Sequence, residues 1–137
     1  MCPETQERVF SAKPENVASV TEFVSAIAEK AGIHPKRLLH LQLALEEAVM
    51  NIGSYAYETP PGELLVRVTT SAGRFVTELI DEGKPFDPIA MDTPNLKAEL
   101  SERKIGGLGI FLLRKVMDEV HYRRQDGRNI LTLVICM

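Results

Sequence analysis

Cysteine is scarce: Cys2 and Cys136 stand near opposite ends of a 137-residue chain. They make no Cys-x-x-Cys pair and no metal-ligand spacing, so reduced thiols in a cytosolic protein are the expectation. No apolar run approaches membrane-spanning length, and the opening MCPETQERVF lacks the apolar core of a signal peptide. A basic block is missing too. Lys and Arg number 16 against 19 Asp and Glu, for a net charge of −3, which argues against a nucleic-acid surface. Repeats and low-complexity segments are absent. These absences predict a cytoplasmic protein with neither membrane nor nucleic acid as partner. The length fits one domain over 1–137 and suffices to bury a core.

What is present is organised around residues 38–57, LLHLQLALEEAVMNIGSYAY. Leu38, Leu41, Leu45, Ala48/Val49 and Ile52 keep the rhythm of an amphipathic helix with one face in a core. Glu47 and Asn51, four apart, are neighbours on one edge of that helix. Such a pair is commonly a solvated edge. A carboxylate and a carboxamide at the margin of a core must find partners or water, and a ligand with a metal ion supplies both.

The remaining elements follow from punctuation and period. Arg8 to Ala12 suggests a short first strand. Pro14 opens a helix with a Val17, Val20, Phe23/Val24, Ile27 rhythm, and Gly32 is its C-cap. Pro35 opens the helix carrying Glu47, and Thr59-Pro60-Pro61-Gly62 breaks it. Leu64–Thr70 and Phe75–Ile80 alternate around Ser71-Ala72-Gly73-Arg74 and read as a hairpin. Residues 88–105, with Pro88, Pro94 and many charges, are long for a plain connection and read as a lid. A third helix is expected over 109–120, then strands at Val120–Arg124 and Ile130–Cys136 joined by Asp126-Gly127. The expected fold class is α+β. Two or three helices stack on one face of a mainly antiparallel mixed sheet, a two-layer sandwich.

Two further stretches carry chemistry. Asp81-Glu82-Gly83 ends a strand: either a plain Asp-x-Gly turn, or a carboxylate accepting a bond from a flat heterocycle that Gly83 lets approach. Gly106-Gly107-Leu108-Gly109 sits where a loop becomes a helix. It is either a flexible connector with tight helix packing, or a backbone cradle whose free N–H groups favour phosphate.

In this order Glu47-Ala48-Val49-Met50-Asn51, Asp81-Glu82-Gly83-Lys84-Pro85-Phe86-Asp87-Pro88 and Gly106-Gly107-Leu108-Gly109 resemble the N, G1 and G2 boxes of the GHKL ATPases. Within that superfamily the chain resembles the small bacterial anti-sigma-factor serine/threonine kinases, over nearly its whole length. The resemblance implies the Bergerat ATP-binding fold and ATP with Mg²⁺ as cofactors. It implies Asn51 as the Mg²⁺ ligand, Glu47 as general base, Asp81 on the adenine amino group and Gly83 beside the ring. Gly106, Gly107, Leu108 and Gly109 would meet phosphate. Arg103 and Lys104 are phosphate candidates by charge and position alone; the alternative is a solvated basic pair.

Three residues depart from the family pattern. Pro85 replaces the second glycine of the G1 box and Tyr55 replaces a histidine often found after the N box. Asn129 replaces the usual threonine on the last hairpin and could hold a water near adenine. The implied function is an anti-sigma factor that phosphorylates an anti-anti-sigma (STAS-type) partner, binds a sigma factor and tends to form homodimers. The alternatives are a non-catalytic, ATP-dependent partner-switching module and a detached histidine-kinase catalytic domain.

Overall fold

The computed structural model describes residues 4–51, 62–83 and 115–137, without the side chains of Pro14 and Asn51. Strand β1 (Glu4–Ser11) leads through a 3-10 turn (Pro14–Asn16) into helices α1 (Val17–Ala31) and α2 (Pro35–Asn51). Strands β2 (Glu63–Ser71), β3 (Arg74–Asp81), β4 (Glu119–Gln125) and β5 (Arg128–Cys136) follow. The five strands form one sheet in the order β1-β2-β3-β5-β4. Every pairing among them is antiparallel.

Strand alternation decides which side of the sheet the helices cover. Leu64, Val66 and Val68 of β2 and Phe75 and Leu79 of β3 point to one face, with Leu131, Leu133 and Ile135 of β5. They are buried in one cluster with Val20, Val24 and Ala28 of α1 and Leu41, Ala44, Leu45, Ala48 and Val49 of α2. The opposite face is more polar. There Arg67 of β2 reaches Glu7 of β1 at 2.6 Å and Glu78 of β3 at 3.5 Å. The architecture is therefore an α+β layer of helices on an antiparallel sheet.

Local signals account for the element ends. Gly32 closes α1 with φ 83°, and its N–H bonds to Glu29 O at 3.1 Å. Asp126 and Gly127 both have positive φ, 53° and 77°, the two-residue hairpin turn expected from Asp-Gly.

Two expectations change. The first strand begins at Glu4 rather than Arg8. Its early residues are polar and exposed, so they give no alternation signal, yet their backbone pairs with β2 from Glu4↔Thr70 onward. The third helix does not reach Val120. Only Lys115 and Val116 of it lie among the described residues, and Glu119 and Val120 already belong to β4. Asp118 makes the change of structure. Its N–H donates to Val134 O at 3.0 Å, and its Oδ2 accepts from Cys136 N at 2.7 Å, which starts the ladder. Among the described residues no helix is long and apolar enough to cross a membrane. The expected lid at 88–105 lies outside the described residues.

Candidate functional site

One row of residues crosses the sheet on its helix-covered face: Phe10 of β1, Leu64 of β2, Asp81 of β3, Asn129 of β5 and Arg124 of β4. The row is apolar at one side of the sheet and polar at the other. Asp81 is 3% exposed and Asn129 4%. A carboxylate and a carboxamide buried this deeply are costly unless hydrogen bonds replace their water.

Asp81 Oδ1 accepts two bonds, from Gly83 N at 2.8 Å and from Asn129 Nδ2 at 3.0 Å. The first closes an Asx turn, so the plain-turn and ligand-binding readings of Asp-x-Gly are compatible here. Arg124 Nη1 donates to Gly83 O at 2.7 Å and to Asn129 Oδ1 at 3.2 Å. The Tyr122 hydroxyl also donates to Asn129 Oδ1. Asn129 Nδ2 approaches Gly83 O at 3.4 Å. Burial pushes the Asp81 carboxyl above its ordinary pKa. The Asn129 amide, the Gly83 N–H and the Arg124 charge pull in the opposite direction.

Glu47 lies on α2, the helix whose Ala44, Leu45, Ala48 and Val49 are in the core. Its Oε2 is buried. Asn51 is the last residue of α2, one turn beyond Glu47; its side chain is outside the description. Among the described residues no group of three or more His, Cys, Asp or Glu could hold a metal ion. The donors at the end of α2 are hard oxygens. That set fits Mg²⁺, which is bound by one or two protein oxygens together with substrate phosphates.

Of the residues singled out in the sequence, the structure joins Asp81, Gly83 and Asn129. Arg103, Lys104, Gly106, Gly107, Leu108 and Gly109 lie outside the described residues, as do Tyr55 and Pro85. Tyr122 and Arg124 escaped the sequence reading. The two-residue Asp126-Gly127 turn sets Gln125 opposite Arg128, and hence Arg124 opposite Asn129. Tyr122 lies two residues back, diagonal to Asn129 on the same face. Writing out that register would have found both.

The histidine kinase-like ATPase domain family matches residues 10–135. Among curated relatives, the serine-protein kinase RsbW of Bacillus licheniformis is 33% identical over 125 residues, covering 85% of this chain and 76% of that protein. The serine/threonine-protein kinase BtrW of Bordetella bronchiseptica is 36% identical over 95 residues, 68% of this chain and 66% of that one. The anti-sigma F factor of Thermoanaerobacter pseudethanolicus is 25% identical over 122 residues, 89% of this chain and 85% of that one.

Proposed function

This chain belongs to the histidine kinase-like ATPase domain family, and from that premise we propose that it binds Mg-ATP and phosphorylates a serine or threonine of a protein partner. The observation that supports nucleotide binding most is Asp81: a buried carboxylate at a strand end whose described bonds both fall on Oδ1. Oδ2 is then the acceptor for the adenine amino group, and Gly83 packs near the ring. The kinase step is supported by relatives named as serine-protein kinases.

Glu47 takes the proton from the attacking hydroxyl, whose oxygen bonds the γ-phosphorus as ADP leaves. Asn51 holds Mg²⁺, which supplies charge neutralisation to the phosphates. Gly106, Gly107, Leu108 and Gly109 would offer backbone to phosphate, and Arg103 and Lys104 would neutralise its charge. The partner phosphorylated is an anti-anti-sigma protein of STAS type. The protein sequesters a sigma factor and acts as a homodimer. The relative named anti-sigma F factor supports the sigma-factor part of that assignment.

Calorimetry with and without magnesium tests the binding half. Asn51→Ala weakens ATP binding mainly when Mg²⁺ is present, whereas Asp81→Asn weakens ATP and ADP alike, since both carry adenine. Wild-type affinity in both variants places the nucleotide elsewhere.

A further inference from the structure

We propose that Tyr122 and Arg124 are positioning residues for nucleotide recognition: together they fix the Asn129 carboxamide and the Gly83 carbonyl, and so hold Asp81 in the orientation that reads a purine 6-amino group. This rests on the ATP-binding reading above and adds two residues to it. Both lie on β4, the last strand at one side of the sheet, and both side chains reach inward to Asn129.

The amide of Asn129 is the pivot of this network. A carboxamide has one acceptor end and one donor end, and a half-turn exchanges them. Here two donors, the Tyr122 hydroxyl and Arg124 Nη1, both meet the oxygen. The NH₂ end is thereby directed at Asp81 Oδ1, 3.0 Å away, and at Gly83 O, 3.4 Å away. The flipped amide would set NH₂ against a guanidinium and oxygen against a carboxylate. The bonds to Arg124, Asp81 and Gly83 would then be lost, and the Tyr122 hydroxyl would have to turn and accept. Arg124 also anchors the turn directly, through Gly83 O at 2.7 Å. Gly83 N in turn donates to Asp81 Oδ1 at 2.8 Å.

The consequence falls on the carboxylate. Asp81 Oδ1 is held from two directions, and among the described residues Oδ2 has no donor. A single fixed acceptor suits a 6-amino N–H and opposes the carbonyl of a 6-oxo purine. Neither Tyr122 nor Arg124 has to touch the nucleotide: each acts through Asn129, Gly83 and Asp81. The pattern is particular to a chain with asparagine at 129, because only an amide has two ends to orient.

The experiment compares ATP with purine riboside triphosphate, which lacks the 6-amino group, in wild type, Tyr122→Phe and Arg124→Met. Thermal unfolding of each variant accompanies the titrations, and Tyr122→Phe keeps the shape of the ring. Each variant is expected to lose about tenfold in ATP affinity, the scale of one hydrogen bond to a charged group. Affinity for the analogue changes little, so discrimination falls. In Arg124→Met the loss of ATP binding on acidification also moves to higher pH, because a cation that favours the Asp81 carboxylate is gone. Equal losses for both nucleotides, or unchanged ATP affinity and pH profile in variants of a wild type that binds ATP, would overturn the clamp alone. A wild type that binds neither nucleotide would overturn the ATP reading and the clamp with it.

Discussion

Asn129 Nδ2 donates to Asp81 Oδ1 across 3.0 Å, and the two residues face each other directly on neighbouring strands. Both are buried at the rim of an otherwise apolar core. Such a pair is not the most stable filling for that position. Burial holds the Asp81 carboxyl above its ordinary pKa even with three groups opposing the shift. A neutral side chain of the same shape would avoid that cost, at the expense of the acceptor that nucleotide binding requires.

Asp81→Asn is therefore expected to stabilise the nucleotide-free protein while weakening its response to ATP. The sign follows from linkage. A carboxyl whose folded pKa is raised binds a proton more readily folded than unfolded, so wild-type stability falls as pH rises through the folded pKa. The variant lacks that loss. Thermal unfolding from about pH 4, near the ordinary carboxylate value, up to about pH 8 should show Asp81→Asn gaining on wild type as pH rises. Mg-ATP should raise the melting temperature of wild type more than that of the variant. A wild-type advantage without nucleotide at the alkaline end would show that the buried carboxylate is not destabilising.

Thr77 offers a gain without a functional cost. It is fully buried on β3, and its Oγ1 has no hydrogen-bond partner among the described residues. Thr77→Val keeps the β-branched shape and removes the unsatisfied hydroxyl. We expect about 1 kcal/mol of added stability, or a melting temperature higher by about 3 °C, with ATP affinity unchanged. A loss of stability would mean that the hydroxyl is satisfied.

Arg37 ties the start of α2 to the approach to β4. Its Nη2 lies 2.6 Å from Asp118 Oδ2, and its Nη1 donates to Val116 O at 2.9 Å. Val116 O is a helix-terminal carbonyl in need of a donor. The pair is partly exposed, 29% and 39%, so solvent weakens it. Arg37→Met should lower stability by about 1 kcal/mol in urea unfolding. A larger loss is not expected, because Asp118 keeps its bond from Cys136 N. No change at all would mean that water caps Val116 as well as arginine does.

The fold was largely legible in the sequence, for identifiable reasons. Gly32, Pro35 and Asp126-Gly127 act through backbone geometry that few other residues match, so they mark ends well. The alternation of Leu64, Val66, Val68 and of Phe75, Leu79 shows a half-buried strand because one face is covered. Glu4 to Glu7 escaped because an exposed edge strand is held by its backbone, with no burial to imprint a pattern. Val120 fitted both a helical and an alternating rhythm, and only the bonds of Asp118 decide between them.

The site was legible in part for the same reasons. Asp81 and Gly83 stand in one short motif, and Asn129 is found by its place on the last hairpin. Tyr122 and Arg124 carry no motif. They matter through register, which a sequence reveals only once the turn between β4 and β5 has been fixed.

Phosphotransfer tests the central claim most directly. Purified protein is mixed with γ-labelled Mg-ATP and a STAS-type anti-anti-sigma protein encoded beside it, and the acid stability of the product is measured. The account predicts acid-stable phosphoserine or phosphothreonine on the partner. It further predicts that Glu47→Ala keeps its ATP affinity and transfers about 10²–10⁴-fold more slowly, the usual contribution of a positioned general base. A wild type that binds ATP tightly and labels no such partner, or a Glu47→Ala variant that transfers at the wild-type rate, would contradict it.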